Sequence, residues 1–395
     1  MNIAHPLQGF FDACIESGLA IAPADTSVLA PATVITAKPA QWRELAVMAI
    51  SADLEAFSCL EFRGTYLIIR CRFGTDEALL SLAPIYPAAD RPERHAHDLL
   101  GIQFEDQPDE RRWTRHQAWD KNQYPLRTDF QWTPADGPVP GDHDYPFISG
   151  HGPGVVEIPV GPIHAGIIEP GHFRFQAIGE IVLNLEQHLA YTHKGIEKLA
   201  VGRDAAGLAR LAGRVSGDTT VGHTWAACQA MERATGLKVP ERAHWLRAIM
   251  AERERIANHL GDIGAICNDV GFGFGFYQLS RLRELCLREN KALFGHRLLM
   301  DCVIPGGTAV DLTDQSVLII KDSVKLLATE VTGLISLLED SESLEDRLMG
   351  TGRLTPEIAT ELGVVGYTGR ASGQNFDVRR NAAYPPYDHI DMNVP

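Results

Sequence analysis

The residues best suited to chemistry are a few imidazoles and carboxylates set among glycines and prolines. His164 and His172 stand in GPIHAGIIEPGHFRF (Gly161–Phe175), a stretch whose glycines and prolines favour loops and short strands over helix. Imidazole titrates near neutral pH, so such a histidine can donate a hydrogen bond to a carbonyl or relay a proton. The competing reading is a structural histidine satisfied by its own loop. Glu197, in His193-Lys194-Gly195-Ile196-Glu197-Lys198, is a candidate proton-path carboxylate and equally an ion-pair partner for Lys198 or Arg203. His151 sits in Gly-rich chain and is expected to be solvated. The seven cysteines (14, 59, 71, 228, 267, 286 and 302) are dispersed, with no C-x-x-C. They cannot build an iron–sulfur cluster from this chain alone, suit a reducing compartment, and are each expected to be a small buried hydrophobe.

The elements that must position these groups fall into two halves. Up to about Arg127 the chain reads as an α/β unit, with β-rich runs Ala56–Phe62 and Thr65–Phe73 around a turn at Arg63-Gly64. Residues 128–154 carry Pro134, Pro138, Pro140, Pro146 and Pro153 with five glycines, and read as a linker holding the domain boundary. Short strands follow, turning at Ile178-Gly179. Helices are then predicted over Tyr191–Gly202, Asp218–Thr235 with Gly236 as C-cap, Val239–Asp262, Gln278–Phe294 and Val317–Ser341. In Val239–Asp262, Trp245, Ile249, Ile256 and Leu260 form the apolar face, and the charges from Glu252 to Arg255 are expected to be solvated or paired within the helix. The expected fold class is α+β: an α/β domain over 1–127, a linker over 128–154, and a mainly helical domain with a small β-region over 155–395.

Bulk properties exclude more than they assign. At 395 residues, two domains are the natural expectation. A net charge of −15 opposes binding to nucleic acid and direct adsorption on an anionic membrane. No run of roughly 18–20 apolar residues is present to cross a bilayer, and the N-terminal segment lacks the basic start and apolar core of a secretory signal.

Several motifs carry a family resemblance. Glu93-Arg94-His95-Ala96-His97-Asp98-Leu99-Leu100-Gly101-Ile102, followed by Phe104, Pro108, Asp109, Arg111 and Arg112, resembles the signature of the C-type peripheral-arm subunit of complex I. By charge alone this run would be read as surface; its paired arginines and carboxylates suggest an ion-pair network or a subunit interface. Gly161–Phe175, Thr192–Ala200, Lys238–Leu260 and Arg370–Arg380 resemble the D-type subunit of complex I and, more closely, the large subunit of group 4 membrane-bound [NiFe] hydrogenases of the formate hydrogenlyase kind. For Asp377, Arg379 and Arg380 in the last of these, a structural ion-pair network is expected.

One departure from that resemblance matters most. Where the hydrogenases read R-[VI]-C-G-I-C-x-x-x-H, this chain reads Arg214-Val215-Ser216-Gly217-Asp218-Thr219-Thr220-Val221-Gly222-His223. Ser216 and Thr219 replace the thiolates with hydroxyls, which are hard, protonated and weak ligands for nickel and low-spin iron. The family's second cysteine pair would lie beyond Pro395. The resemblance to complex I implies instead a cavity for a quinone headgroup, in which His172 or His164 would meet the ligand and Asp269 would partner the histidine. The corresponding tyrosine has no match, because Gly217 stands at its position. Arg214 and His223, with Ser216 and Thr219, would line the cavity at the lost metal site.

The resemblance implies a subunit of a membrane-associated, complex I-like oxidoreductase, peripheral on the cytoplasmic face of the membrane. No metal is expected on this chain, and a quinone is the candidate ligand. Implied partners are a small iron–sulfur subunit with a [4Fe-4S] cluster, a ferredoxin-like subunit and integral membrane proton-channel subunits. The competing readings are a non-catalytic scaffold descended from a hydrogenase and a hydrogenase with unusual ligands.

Overall fold

The computed structural model describes residues 7–19, 21, 26–29, 32–51, 60–62, 65–71, 74, 77–116, 119–120, 122–131, 145–164 and 168–392. The expected turn at Arg63-Gly64, Cys59 and residues 132–144 of the Pro/Gly-rich stretch lie outside them. The chain is α+β and divides into two compact units. One comprises Met1–His193, Leu354–Ala383 and Asn393–Pro395, the other Lys194–Arg353 and Tyr384–Met392.

In the first unit, α1 (Gln8–Glu16) and α2 (Trp42–Ser51) pack on a four-stranded sheet. Its strands β1 (Thr26–Leu29), β2 (Ala32–Ala37), β3 (Leu60–Phe62) and β4 (Thr65–Cys71) take the order β1-β2-β4-β3, with β2 and β4 parallel and the outer pairs antiparallel. Phe10, Cys14, Ile35, Leu45 and Leu67 form the core of this layer. The short parallel pair β5 (Ala78–Leu80) and β6 (Gln103–Glu105) flanks α3 (Asp90–Leu100), which Gly101 ends in the left-handed conformation (φ 77°).

Helix α3 carries the charged signature, and its charges are not at the surface. Glu93, Arg94 and Asp98 are buried. Each spends its polar atoms on a neighbouring loop. Glu93 accepts from Ser81 Oγ (2.6 Å) and Leu82 N (2.7 Å), and Asp98 accepts the backbone N–H groups of Trp113, Thr114 and Arg115 at 2.7–3.1 Å. Arg94 bonds the Arg111 carbonyl (2.8 Å) and pairs with Asp109 (3.0 Å) and Asp90 (3.2 Å). The ion-pair network expected for this run is present, and its surface reading is corrected: buried charge persists here because every group is paired. The same unit contains the antiparallel meander β7 (Val156–Val160), β8 (His172–Ile178) and β9 (Ile181–His188), which turns after Ile178 through Gly179 at φ 59°.

Three short helices, α11 (Pro356–Glu361), α12 (Gly366–Ala371) and α13 (Val378–Asn381), complete the first unit. Asp377 caps α13 and is chelated by Arg379 (2.8 and 3.0 Å) and Arg370 (2.9 Å). These bonds, the Arg379 pair foremost, hold its carboxyl down to about 2. The expected structural network therefore includes Asp377 and Arg379, whereas Arg380 bonds Asn375.

The second unit is helical: α4 (Ile196–Ala200), α5 (Ala205–Ala212), α6 (Thr220–Thr235), α7 (Glu241–Asp269), α8 (Gly273–Phe294), α9 (Asp314–Glu339) and α10 (Glu342–Leu348), with the hairpin β10 (Val303–Ile304) and β11 (Gly307–Thr308). Gly236 caps α6 as predicted. The expected helix over Tyr191–Gly202 shrinks to one turn of α4, because Gly195 adopts φ 61° and bars helix before it. α7 runs on to Asp269 past glycines 261 and 264, since packing against α8 outweighs their low propensity. Its buried stripe is Leu246, Met250, Arg253, Ala257 and Leu260, while Trp245 remains 38% exposed. The polar face assigned from sequence thus contains a buried cation, Arg253, paired with Glu289 (2.9 Å).

Arg247, fully buried, forms a two-pronged pair with Glu232 of α6 (2.6 and 3.1 Å) and donates to the carbonyls of Ile304 and Gly307, while the Gly306 N–H bonds Glu232. Glu232→Ala leaves this guanidinium without its counter-charge and should lower stability by about 3–5 kcal/mol. The measure is urea unfolding; a loss under about 1 kcal/mol, as for an exposed pair, would contradict the assignment.

Candidate functional site

In the second unit the loop Arg214–Thr219 joins α5 to α6. Its start is tight: a side chain at Gly213 would sit 2.6 Å from Thr224 Oγ1, and Thr220 Oγ1 bonds the Gly213 carbonyl (2.8 Å). Arg214 pairs with Asp301 (2.7 Å), and Ser216 donates its hydroxyl to Asp218. Thr219 is the N-cap residue of α6, yet its side chain makes no capping bond, and the first turn of α6 holds no acidic residue. A helix start without such partners leaves N–H groups and a partial positive charge unanswered.

Glu254 of α7 answers them. Its two oxygens accept the Val221 N–H (2.7 Å) and the Gly222 N–H (3.0 Å). Burial, assisted by the charge of Asp218, nevertheless pushes its carboxyl up to about 7 against those two bonds and Arg255. Asn258, one turn on, donates to the Asp218 carbonyl (2.8 Å). Glu254, Asp218, Asn258, Gly217, Arg283 and Leu299 border a void of about 10 Å³, room for a single water. Arg283 presents to its buried surroundings an Nε with no hydrogen-bond partner. The arrangement can hold one proton near neutral pH beside one water-sized space. His223, a turn along α6, is exposed.

In the first unit, His172 opens β8 and pairs across the sheet with His188 of β9. His172 Nδ1 lies 3.0 Å from the Gly161 carbonyl. A carbonyl only accepts, so Nδ1 carries a hydrogen, and in the neutral ring the lone pair is on Nε2. That Nε2 is buried and has no hydrogen-bond partner. The close approach needs glycine: at Gly161 (φ 76°) a Cβ would lie 2.0 Å from the Gly171 carbonyl oxygen. His188, 1% exposed, stacks on Tyr145 (4.2 Å) and on His116 (4.5 Å). Burial first, then the neighbouring His116, Arg112, His172 and Arg94, pull its pKa down to about 3, so it stays neutral. His164 is half-buried, its ring 6.5 Å from that of Phe173.

Asp269, the last residue of α7, and Glu197 on α4 are exposed. Asp269 belongs to the second unit and His172 to the first. Arg214, Ser216 and Thr219 share the loop before α6, whose Gly217 and Asp218 border the void. Glu254 and His188 were not singled out from sequence. The signal for Glu254 was available: a helix start with neither a capping side chain nor an acid of its own.

Three family patterns match consecutive parts of the chain. Residues 35–136 match the respiratory-chain NADH dehydrogenase 30 Kd subunit, 194–261 nickel-dependent hydrogenase, and 269–395 the respiratory-chain NADH dehydrogenase 49 Kd subunit. The chain is 35% identical to formate hydrogenlyase subunit 5 of Escherichia coli over 317 residues, which is 80% of this chain and 56% of that protein. It is 30% identical to the C/D subunit of NADH-quinone oxidoreductase from Phocaeicola vulgatus over 330 residues, 80% and 63% of the two chains. A solved structure, the membrane-bound sulfane sulfur reductase, an archaeal respiratory membrane complex, aligns with a TM-score of 0.58 and 26% identity over 61% of this chain and 65% of that one. The chain is therefore a homologue of subunits of membrane-bound hydrogenase and complex I-like complexes. It spans between about half and two-thirds of the length of these relatives.

A carboxyl titrating near 7 when folded and near 4.5 when unfolded binds a proton that the unfolded chain has already released. Stability from this group is full below about 4.5 and is lost as pH rises towards 7. Glu254→Gln should flatten the pH dependence of unfolding between pH 4.5 and 7, measured by urea unfolding across that range. An unchanged slope would show that Glu254 is ionised throughout.

Proposed function

We propose that this chain is a peripheral subunit of a membrane-associated, energy-converting oxidoreductase complex. On this reading it works without a nickel–iron centre and handles protons for reduction of a quinone-type or other small acceptor. The observation that carries the reading is the loop before α6. The two positions that the hydrogenase likeness assigns to metal thiolates are Ser216 and Thr219, the Ser216 hydroxyl is turned to Asp218, and the space beside them is water-sized. This donor set does not fit nickel and low-spin iron, which require soft thiolate sulfur.

Glu254 takes up and releases a proton at the α6 N-terminus, with Asp218 beside it. His172, its Nδ1–H fixed by a backbone carbonyl, accepts a hydrogen bond or a proton at the bare Nε2. His164 borders the same strand end, and His223, Asp269 and Glu197, all exposed, serve as solvent-side groups of the path. A bound quinone would supply the two-electron acceptor. The electrons come from partners: a small iron–sulfur subunit with a [4Fe-4S] cluster and a ferredoxin-like subunit, while integral membrane subunits complete the assembly. No helix among the described residues is long and apolar enough to cross a membrane, in keeping with a peripheral place. The net charge of −15 keeps nucleic acid out of the partner list.

The test is affinity purification of the intact complex through this chain, followed by acceptor-reduction turnover. Iron–sulfur and membrane subunits should co-purify, and Glu254→Gln and His172→Phe should each lower turnover by about 100-fold, the scale of general acid–base loss, with assembly intact. Unchanged turnover in both variants would leave a scaffold, and a chain that purifies alone would overturn the reading altogether.

A further inference from the structure

The β7–β9 sheet is folded inside out. Its inner face is polar and already committed within the first unit. Arg174 lies over the Phe147 ring (4.4 Å), Glu186 binds Arg111 and the Ile148 N–H (2.7 Å), and Glu157 accepts from the Gly150 N–H (2.9 Å). The register then fixes the opposite face. Val156, Ile158 and Val160 stand across from Ala177, Phe175 and Phe173, and Phe175 across from Leu185. Around a buried Ala177 (3%) and beside the polar Gln187, Val156, Ile158, Val160, Val182 and Leu185 on that face are 37–54% exposed. A one-residue slip would bury them, but it would also expel every polar partner on the inner face.

We infer that this outer face is an interface for a different protein subunit of the complex, one presenting an uncharged apolar surface. The inference rests on the multisubunit reading above. These side chains sit on adjacent strands and form one exposed apolar patch, which marks a protein contact more than singly scattered apolar residues do. The charge pattern rejects a lipid surface. The only basic residue in the three strands besides histidine is Arg174, which faces inward, the turn carries Glu180, and the chain is strongly acidic. Extension of the sheet by a second copy along β7 is also disfavoured, because Pro159 in that edge strand has no N–H to offer a ladder. What remains is a partner that stacks on the face.

Hydroxyl-radical footprinting of the wild-type chain, alone and within the purified complex, reads the face directly. Oxidation of Val156, Ile158, Val182 and Leu185 should fall at least threefold in the complex, with exposed Ile15 and Met349, which lie off this sheet, as internal references. An Ile158→Lys/Leu185→Lys variant, its circular dichroism unchanged, should lose one subunit from the purified complex, while Glu180→Lys should keep it. Equal oxidation in both states, or full subunit retention by the double variant, overturns the inference and leaves the multisubunit reading standing. Protection in the isolated chain that appears with rising concentration, or only on vesicles of anionic phospholipid, overturns it in favour of a second copy or a lipid surface. A wild-type chain that brings down no partner defeats the multisubunit reading instead.

Discussion

The second unit is organised around a cation that has no access to water. Arg247 can remain charged inside a packed core only because Glu232 neutralises it and two carbonyls of the β10–β11 hairpin take its remaining N–H groups. The pair thereby fixes the hairpin to α6 and α7 at once. The segment leading into that hairpin is under backbone strain: Leu299 (φ 60°) and Asp301 (φ 62°) adopt the left-handed region without being glycine. Each such residue costs on the order of 1–3 kcal/mol and persists only where its surroundings dictate it. Here they do. Leu299 is buried in the core around Trp225 and Met250, and Asp301 meets Arg214. The strained residues are those that press against the loop before α6, so the clasp and the candidate site belong to one construction.

In the first unit, burial does different electrical work in two adjacent places. Around α3 it is compensated: Glu93 finds partners in the loop before the helix, and Arg94 and Asp98 find theirs in the loop after it. At the start of β8 and the end of β9 it is deliberately incomplete. His188 is kept neutral among rings and cationic neighbours, and His172 retains a bare nitrogen with no partner. An imidazole whose Nδ1–H is held by a backbone carbonyl directs its Nε2 lone pair, when the ring is neutral, at an incoming donor.

Much of the architecture was legible in the sequence, and the errors share a cause. Gly236 announced the end of α6, and the apolar periodicity announced α7 and α8. Charge, by contrast, misled. The run at Glu93–Asp98 reads as surface by charge alone, and the charges from Glu252 to Arg255 as solvated or paired within the helix. Glu252 and Arg255 do pair so (3.0 Å), but a sequence does not show which charge a distant segment will bring to meet the others. Arg253 finds Glu289 and Asn290 on α8, and Glu254 finds the open end of α6, thirty or more residues away in the chain. The substituted ligands Ser216 and Thr219, and the retained Arg214, were visible from motif alone. The carboxylate that replaces their missing cap was visible only through the helix it serves.

At the loop before α6, where hydrogenase relatives are expected to hold metal, a carboxylate from α7, Glu254, is proposed to exchange protons instead. Elemental analysis of the purified intact complex tests it most directly. Iron from partner clusters and nickel well below one atom per chain are expected; nickel at one atom per chain, retained through chelation and gel filtration, would show that the loop holds metal after all.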